Sequence, residues 1–183
     1  TLAAAIPGNL GLFYAGLEAG LATDEALRGD IEASVEPDMS QFGRLENPND
    51  VADSKGVPQS VIDQVIIVPF NNIPVTRRLI EANHRDIAAF IIEPVLGSAG
   101  QLEVSREYLE FIRDITRTYG IVLIFDEIVT FRLSTGGAQA RYGIQPDMTT
   151  FGKIIGGGIP VGAFGGKAEI MGMYDPAAGL LHH

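Results

Sequence analysis

The sequence predicts an α/β domain built on a mostly parallel sheet. From Val61 onward, apolar runs of strand length alternate with segments that carry helical signals, which is typical of a parallel sheet covered by helices. The runs with strand character are 65–68, 87–92, 121–125 and 147–151. Residues 1–60 are instead rich in Gly, Ala, Pro, Asn and Asp, with one weak helical signal at 23–28, and predict a loop-rich segment of the same domain.

Helix boundaries can be placed between these strands. Pro69 ends the first run, and Asn71 with Asn72 begins the turn to a helix. Ser105 has the residue type of an N-cap and Gly120 that of a left-handed C-terminal residue. The side chains expected on the buried face of the helix between them are Leu109, Ile112, Ile115 and Tyr119.

Composition excludes several functional classes. The net charge of −10 is spread along the 183 residues and argues against nucleic acid or an acidic membrane surface as partner. The absence of cysteine excludes disulfides and thiolate metal sites, and with three histidines in the chain we predict no metal. No apolar run reaches the roughly 18 residues that span a bilayer, so we expect a cytoplasmic protein.

Three polar residues follow the ends of separate predicted strands. Glu93, Asp126 and Lys153 each come directly after, or shortly after, an apolar run. Parallel sheets bind ligands outside the carboxyl ends of their strands, and each gap is long enough for one crossover. We therefore expect these three side chains to converge at one edge of the sheet.

Lys153 is the strongest candidate for a reactive amine. The chain contains only three lysines, and Lys55 and Lys167 lie in polar or exposed contexts. Lys153 lies between Gly152 and an apolar, glycine-rich run, where a dry surrounding would leave a neutral amine available as nucleophile. A surface loop lysine is the alternative.

The carboxylates and glycines near these strand ends also have simpler interpretations. Asp126 and Glu127 could serve a helix N-terminus, and Glu93 with Pro94 could simply end a strand. The run Gly156 to Gly158 matches neither the Walker pattern nor the dinucleotide fingerprint, so a nucleotide site is weakly supported.

Several ordered motifs resemble one known family. They read IEPVLG (92–97), FDEI (125–128), FRL (131–133) with GGAQ (136–139), YGIQPD (142–147), and GKIIGGG (152–158) with PVGAFGG (160–166). Together they resemble the class III pyridoxal phosphate-dependent aminotransferases, in the branch similar to glutamate-1-semialdehyde aminomutase. The resemblance covers roughly residues 54–183.

The resemblance implies the large domain of a fold-type I pyridoxal phosphate enzyme, with a mostly parallel sheet and helices on both faces. Lys153 resembles the lysine that forms the internal aldimine and moves the substrate proton. Asp126 resembles the carboxylate that pairs with the pyridine nitrogen, and Ile128, expected along the same extended face, resembles the aliphatic residue on the ring. Glu93 and Ser98 fall in a loop near the cofactor and have supporting roles.

The reaction stays open between several possibilities. An aminotransferase or an aminomutase acting on a small amino acid or amino-aldehyde is the leading interpretation. Residues 129–133 lack a glycine that many relatives have, and with Tyr174-Asp175-Pro176 this resembles β-phenylalanine-type aminotransferases. A racemase of the same fold and an inactive relative are the remaining alternatives, the latter opposed by the presence of both Lys153 and Asp126.

We expect the chain to be the central part of a longer protein. It starts without Met and stops at His183 without a capping signal. The family's phosphate-binding loop, the segment that reaches the neighbouring subunit and the C-terminal small domain are not found in it. The full-length protein is therefore expected to be an active homodimer. The present chain, whose residues 61–183 are expected to form the central part of the large domain, is expected to be inactive alone.

Overall fold

A computed structural model describes the backbone of residues 2–5, and residues 43–49, 56–97, 100–175 and 177. The weak helical signal at 23–28 and the candidates Lys55 and Ser98 lie outside these ranges. Among the described residues, no helix combines the length and the apolar character that crossing a membrane requires.

The elements follow one another along the chain in alternation. The first part contains β1 (Leu2–Ala5), β2 (Gly43–Arg44), β3 (Asn47–Pro48), α1 (Gln59–Ile62), β4 (Val65–Ile67), α2 (Ile73–Asn83) and β5 (Ala89–Ile92). The second contains β6 (Val95–Leu96), β7 (Leu102–Glu103), α3 (Arg106–Tyr119), β8 (Val122–Asp126), a 3-10 turn (Thr130–Leu133) and α4 (Gly137–Tyr142). The last contains β9 (Met148–Phe151), a 3-10 turn (Lys153–Gly156), β10 (Ala163–Gly166), α5 (Ala168–Met171) and a 3-10 turn (Gly172–Tyr174).

Six of these strands form one sheet in the order β10-β9-β8-β5-β1-β4. All neighbouring pairs are parallel except β10, which runs antiparallel to β9 at the edge. β2 with β3, and β6 with β7, form two small antiparallel hairpins. The predicted α/β class with a mostly parallel sheet is confirmed.

The main core lies on one face of the sheet. Phe90, Ile92, Leu123 and Phe125 alternate along β5 and β8 and are at most 1% exposed, as expected when every second side chain points to the same face. Helices α2, α3 and α4 all contribute to the same buried cluster. The alternate residues, among them Ile91, Ile124 and Asp126, are only half-buried, so the face that carries Asp126 is the less covered one.

The helix boundaries confirm the expected capping residues. The Ser105 hydroxyl accepts a hydrogen bond from the Tyr108 amide at 3.1 Å, and Gly120 adopts the left-handed conformation that ends α3. Asn72 caps α2 through the Val75 amide at 3.1 Å. Leu109, Ile112 and Ile115 are buried and Tyr119 is half-buried, as the helical spacing predicts.

A buried carboxylate joins three elements at the amino-terminal end of β8 and β9. Asp147 accepts hydrogen bonds from the Leu123 amide at 2.8 Å and from Arg113 Nη2 at 3.0 Å. Lys167 Nζ lies 2.7 Å from the other oxygen. Lys167 lies in an exposed context, before the short helix α5, but its amine is held in this ion pair. Burial alone would raise the pKa of Asp147, yet these three donors outweigh burial and lower it.

Asp147→Asn should destabilise the chain by about 3 kcal/mol at neutral pH, because it leaves the buried Arg113 without its charge partner. Since the folded-state pKa of Asp147 is lowered, its contribution is complete above the ordinary value of 3.8 and is lost as the pH falls through the folded value. Urea unfolding curves should therefore differ most at pH 7 and converge in acid. Asp114→Asn, at an exposed position, serves as control; equal losses for the two variants would contradict the assignment.

Candidate functional site

The ends of β5, β8 and β9 bring the three predicted polar residues to one edge of the sheet. Ile92, the last residue of β5, pairs with Phe125, so Glu93, which follows β5, comes next to Asp126, the last residue of β8. Asp126 in turn pairs with Thr150, and β9 ends at Phe151, two residues before Lys153. The predicted convergence at the carboxyl ends of the strands is present in the fold.

The charges of Asp126 and Lys153 both act on the carboxyl group of Glu93. Burial raises the pKa of the Glu93 carboxyl, and the negative charge of Asp126 raises it further. The Gly97 amide, which donates to Glu93 Oε2 at 3.0 Å, and the positive charge of Lys153 oppose this rise. Glu93 therefore lies within the fields of both Asp126 and Lys153.

Asp126 is the last residue of β8, and its carboxylate is only partly engaged. Asp126 Oδ1 accepts a hydrogen bond from the Ile128 amide at 3.0 Å, which forms a tight turn of the Asx type. Within the described part of the chain, its second oxygen has no hydrogen bond and no cation is paired with it. A half-buried carboxylate with one free oxygen is suited to pair with a cationic group of a ligand.

Ile128 was expected on the extended strand, and this is wrong: the strand ends at Asp126 and Ile128 lies in the turn that follows. The Asx turn directs its side chain toward the lysine segment. A Cβ atom at Gly152 would lie 3.4 Å from both Cγ atoms of Ile128. Ile128 thus packs against the backbone that carries Lys153.

Lys153 has an unusual backbone. Its φ of 47° lies in the left-handed region, which non-glycine residues seldom adopt and which is often found at functional sites. The residue is exposed, and its amine makes no hydrogen bond or ion pair within the described ranges. The dry surrounding expected for this amine is therefore not provided by the described residues.

Two further residues at this edge were not among the candidates. The Thr150 hydroxyl is buried and has no hydrogen-bond partner in the described part of the chain, on the strand position paired with Asp126. Glu127, considered only as a residue for a helix N-terminus, is fully buried. Thr150 is placed beside Asp126 by the register of β8 against β9, and this register cannot be read from the sequence alone. Ser98 lies outside the described residues.

The segment from Glu93 to Gly97 is packed tightly against the turn after β8. A Cβ atom at Gly97 would lie 2.7 Å from a methyl group of Val129.

Two surface clefts of about 400 and 320 Å³ lie elsewhere, between α2 and α3 and beside Asp147, and neither contains Glu93, Asp126 or Lys153. The strand ends are thus the place where the chemically active groups meet.

Lys153→Gly should be more stable than Lys153→Ala by about 1 kcal/mol, because glycine adopts positive φ without steric cost and alanine does not. Chemical unfolding of both variants measures the difference. Arg117, exposed within α3, is the matched control, since there glycine should be about 1 kcal/mol worse than alanine. The same order at both positions would show that Lys153 is not held in the left-handed region.

The chain is similar to several known proteins. The family described as Aminotransferase class-III matches residues 51–181. A glutamate-1-semialdehyde 2,1-aminomutase from Thermodesulfovibrio yellowstonii is 50% identical over 131 residues, covering 71% of this chain and 31% of that protein. The chain thus spans about a third of the length of this curated relative.

Solved structures agree with the family and with the fold. An ω-transaminase from Sphaerobacter thermophilus is 46% identical with a TM-score of 0.72, over 75% of this chain and 32% of that one. A β-phenylalanine aminotransferase from Variovorax paradoxus is 38% identical with a TM-score of 0.63, over 65% and 28%. The likeness to the aminomutase branch and the fold-type I transaminase architecture are both confirmed. The chain belongs to the class III aminotransferase family.

Proposed function

We propose that this chain supplies the lysine and the pyridine-binding carboxylate of a pyridoxal phosphate-dependent aminotransferase or aminomutase. The observation that carries the proposal is the convergence of Glu93, Asp126 and Lys153 at the carboxyl ends of three adjacent strands. Membership of the class III aminotransferases supports the same chemistry. Because the chain spans about a third of a curated relative, the activity is proposed for the protein at full length.

The residues present fit pyridoxal phosphate. Judged against the residues that the structure describes, Asp126 offers an unpaired carboxylate oxygen, Thr150 an unpartnered buried hydroxyl, and Lys153 an unpaired amine. Gly152 leaves the backbone bare where Ile128 approaches it. A flat, cationic ring with an aldehyde can use each of these features: a charge partner, a hydrogen-bond donor or acceptor, an amine and an apolar wall.

When bound, pyridoxal phosphate supplies an aldehyde to carry the amino group and a ring that accepts electron density. Lys153 Nζ would hold the cofactor and would move the proton to and from the substrate carbon. The Asp126 carboxylate would hold the ring nitrogen and favour the protonated ring. Ile128 would provide an apolar wall for the ring, and Glu93, held by the Gly97 amide, would add a second carboxylate near Asp126. For Ser98, we propose a supporting role in the loop after Glu93.

The amino acceptor separates the candidate reactions. The likeness to an aminomutase favours transfer within one substrate, whereas the ω-transaminase and the β-phenylalanine aminotransferase favour transfer between two. We propose a small amino acid or amino-aldehyde as substrate, with β-amino acids as the second candidate. A racemase would only invert the configuration of its substrate.

A homodimer in the cytoplasm is part of the proposal. Several large apolar side chains that follow Lys153 are exposed, with Ile159 at 69% and Phe164 at 48%. Exposed apolar patches of this kind are typical of contact surfaces.

The exposed position of Lys153 supports a second inference: the phosphate-binding residues lie outside this chain, which alone should bind the cofactor poorly and be inactive.

Treatment of the chain with pyridoxal phosphate and then borohydride should label Lys153 in preference to Lys55 and Lys167. Among the described residues the Lys153 amine has no ion-pair partner, and its charge acts on Glu93 at the same strand ends, whereas Lys167 is paired with Asp147. Peptide mass spectrometry measures the label on each lysine, and the urea-unfolded chain gives their intrinsic reactivities. Asp126→Asn should reduce the preference, while Asp114→Asn should not. Equal labelling of the three lysines in the folded chain would overturn the cofactor site.

In the full-length protein, Lys153→Ala should lower kcat by about 10²–10⁴, the usual effect of losing a general acid-base group. Lys55→Ala is the control. A transaminase should stop after one turnover unless an oxo acid is added, an aminomutase should continue without one, and a racemase should yield only the mirror-image substrate. Chiral chromatography of the products distinguishes the three. Unchanged turnover in Lys153→Ala would contradict the assignment.

A further inference from the structure

Glu127 is a buried carboxylate that the proposed reaction does not use. It follows Asp126 directly, yet its side chain is fully buried, with 0% exposed. Burying a carboxylate is costly unless hydrogen bonds replace water. The groups that donate hydrogen bonds to the Glu127 carboxylate therefore indicate the role of this residue in the fold.

Four donors from two segments compensate this carboxylate. Oε2 accepts from the Ala138 amide at 2.5 Å and from the Thr130 hydroxyl at 3.3 Å. Oε1 accepts from the amide and the side-chain nitrogen of Gln139, at 3.2 and 3.1 Å. No cation of the described residues is paired with it. These contacts join the end of β8 to the first turn of α4 and to the 3-10 turn between them.

The same residue also connects β8 to the strand that leads to Lys153. The Glu127 amide donates to the Thr150 carbonyl at 3.1 Å. The side-chain nitrogen of Gln139, which binds Glu127, also donates to the Thr149 hydroxyl at 3.3 Å. Phe131, whose amide donates to the Glu127 carbonyl at 3.0 Å, places its ring 5.0 Å from that of Phe151.

The fit around the carboxylate is tight enough to restrict the sequence elsewhere. A Cβ atom at Gly137 would lie 2.3 Å from Glu127 Oε2, and Gly137 has a φ of 70°. Both observations require glycine at this position. The carboxylate therefore occupies a pocket shaped for it.

We propose that Glu127 is a positioning residue, which fixes the strand end that carries Asp126 relative to the strand end that carries Lys153. The inference depends on the proposed function, because it concerns the separation of that site's two central groups. Asp126 thus lies on the less covered face of the sheet, whereas Glu127 anchors the strand on the helix-covered face.

Hydrogen exchange in the Glu127→Gln variant tests the anchor. The side-chain nitrogen that this substitution introduces cannot accept a hydrogen bond, so at least one donor loses its partner. We expect residues 148–153 to exchange at least about tenfold faster, the effect of losing one hydrogen bond to a charged group. Residues 65–83, in β4 and α2, should keep their rates. Glu110→Gln, on the exposed side of α3, is the matched control.

Two more variants keep the test decisive if Glu127→Gln folds poorly. Gln139→Leu cuts only the side-chain link between Glu127 and Thr149, and should give a smaller acceleration in the same region. The double variant Glu127→Gln with Gln139→Glu exchanges the amide and the carboxylate, and should restore part of the protection of residues 148–153. Acceleration spread evenly over the whole chain, or no acceleration there, would overturn the proposal.

The lysine label provides a readout that general loosening would not change. In folded Glu127→Gln, the ratio of label on Lys153 to label on Lys167 should fall, and the double variant should recover it. A preference for Lys153 that persists in Glu127→Gln would overturn the positioning role alone. An absence of any preference in the unaltered chain would instead overturn the proposed cofactor site.

Discussion

The parallel pairing of β5, β8 and β9 is the constraint on which the site depends. β8 lies between its two neighbours and runs in the same direction as both, so the three strands finish at the same edge. Residues far apart in sequence thereby become neighbours without any long side chain reaching across. The core formed by Phe90, Leu123 and Phe125 holds these strands together from the helix side, and so determines the geometry of the polar edge.

Much of this architecture could be predicted from local patterns. The apolar runs located four strands of the main sheet within a few residues, and Ser105 and Gly120 marked both ends of α3 because capping depends on a few neighbouring atoms. Glu93, Asp126 and Lys153 could be placed at strand ends for the same reason. Their common edge followed from the general rule that strands joined by helices run parallel.

Other features depend on contacts that a single sequence does not reveal. Ile128 leaves the strand because the Asp126 side chain binds its amide, and a strand pattern contains no sign of that bond. The pairing of Lys167 with Asp147 requires the antiparallel return of β10, which the alternation of strands and helices does not predict. The places of Thr150 and Glu127 at this edge of the sheet follow only from the register between β8 and β9.

The close contact between Glu127 and Gly137 has a consequence for the evolution of this chain. A side chain at 137 and a carboxylate of full length at 127 exclude each other, because the missing Cβ leaves the room that the oxygen occupies. A side chain at 137 therefore meets both the carboxylate oxygen and the strain of a positive φ, and shortening residue 127 relieves only the first. Homologous sequences should therefore keep glycine at 137 wherever residue 127 is glutamate, a pattern that an alignment can reveal without any experiment on the protein.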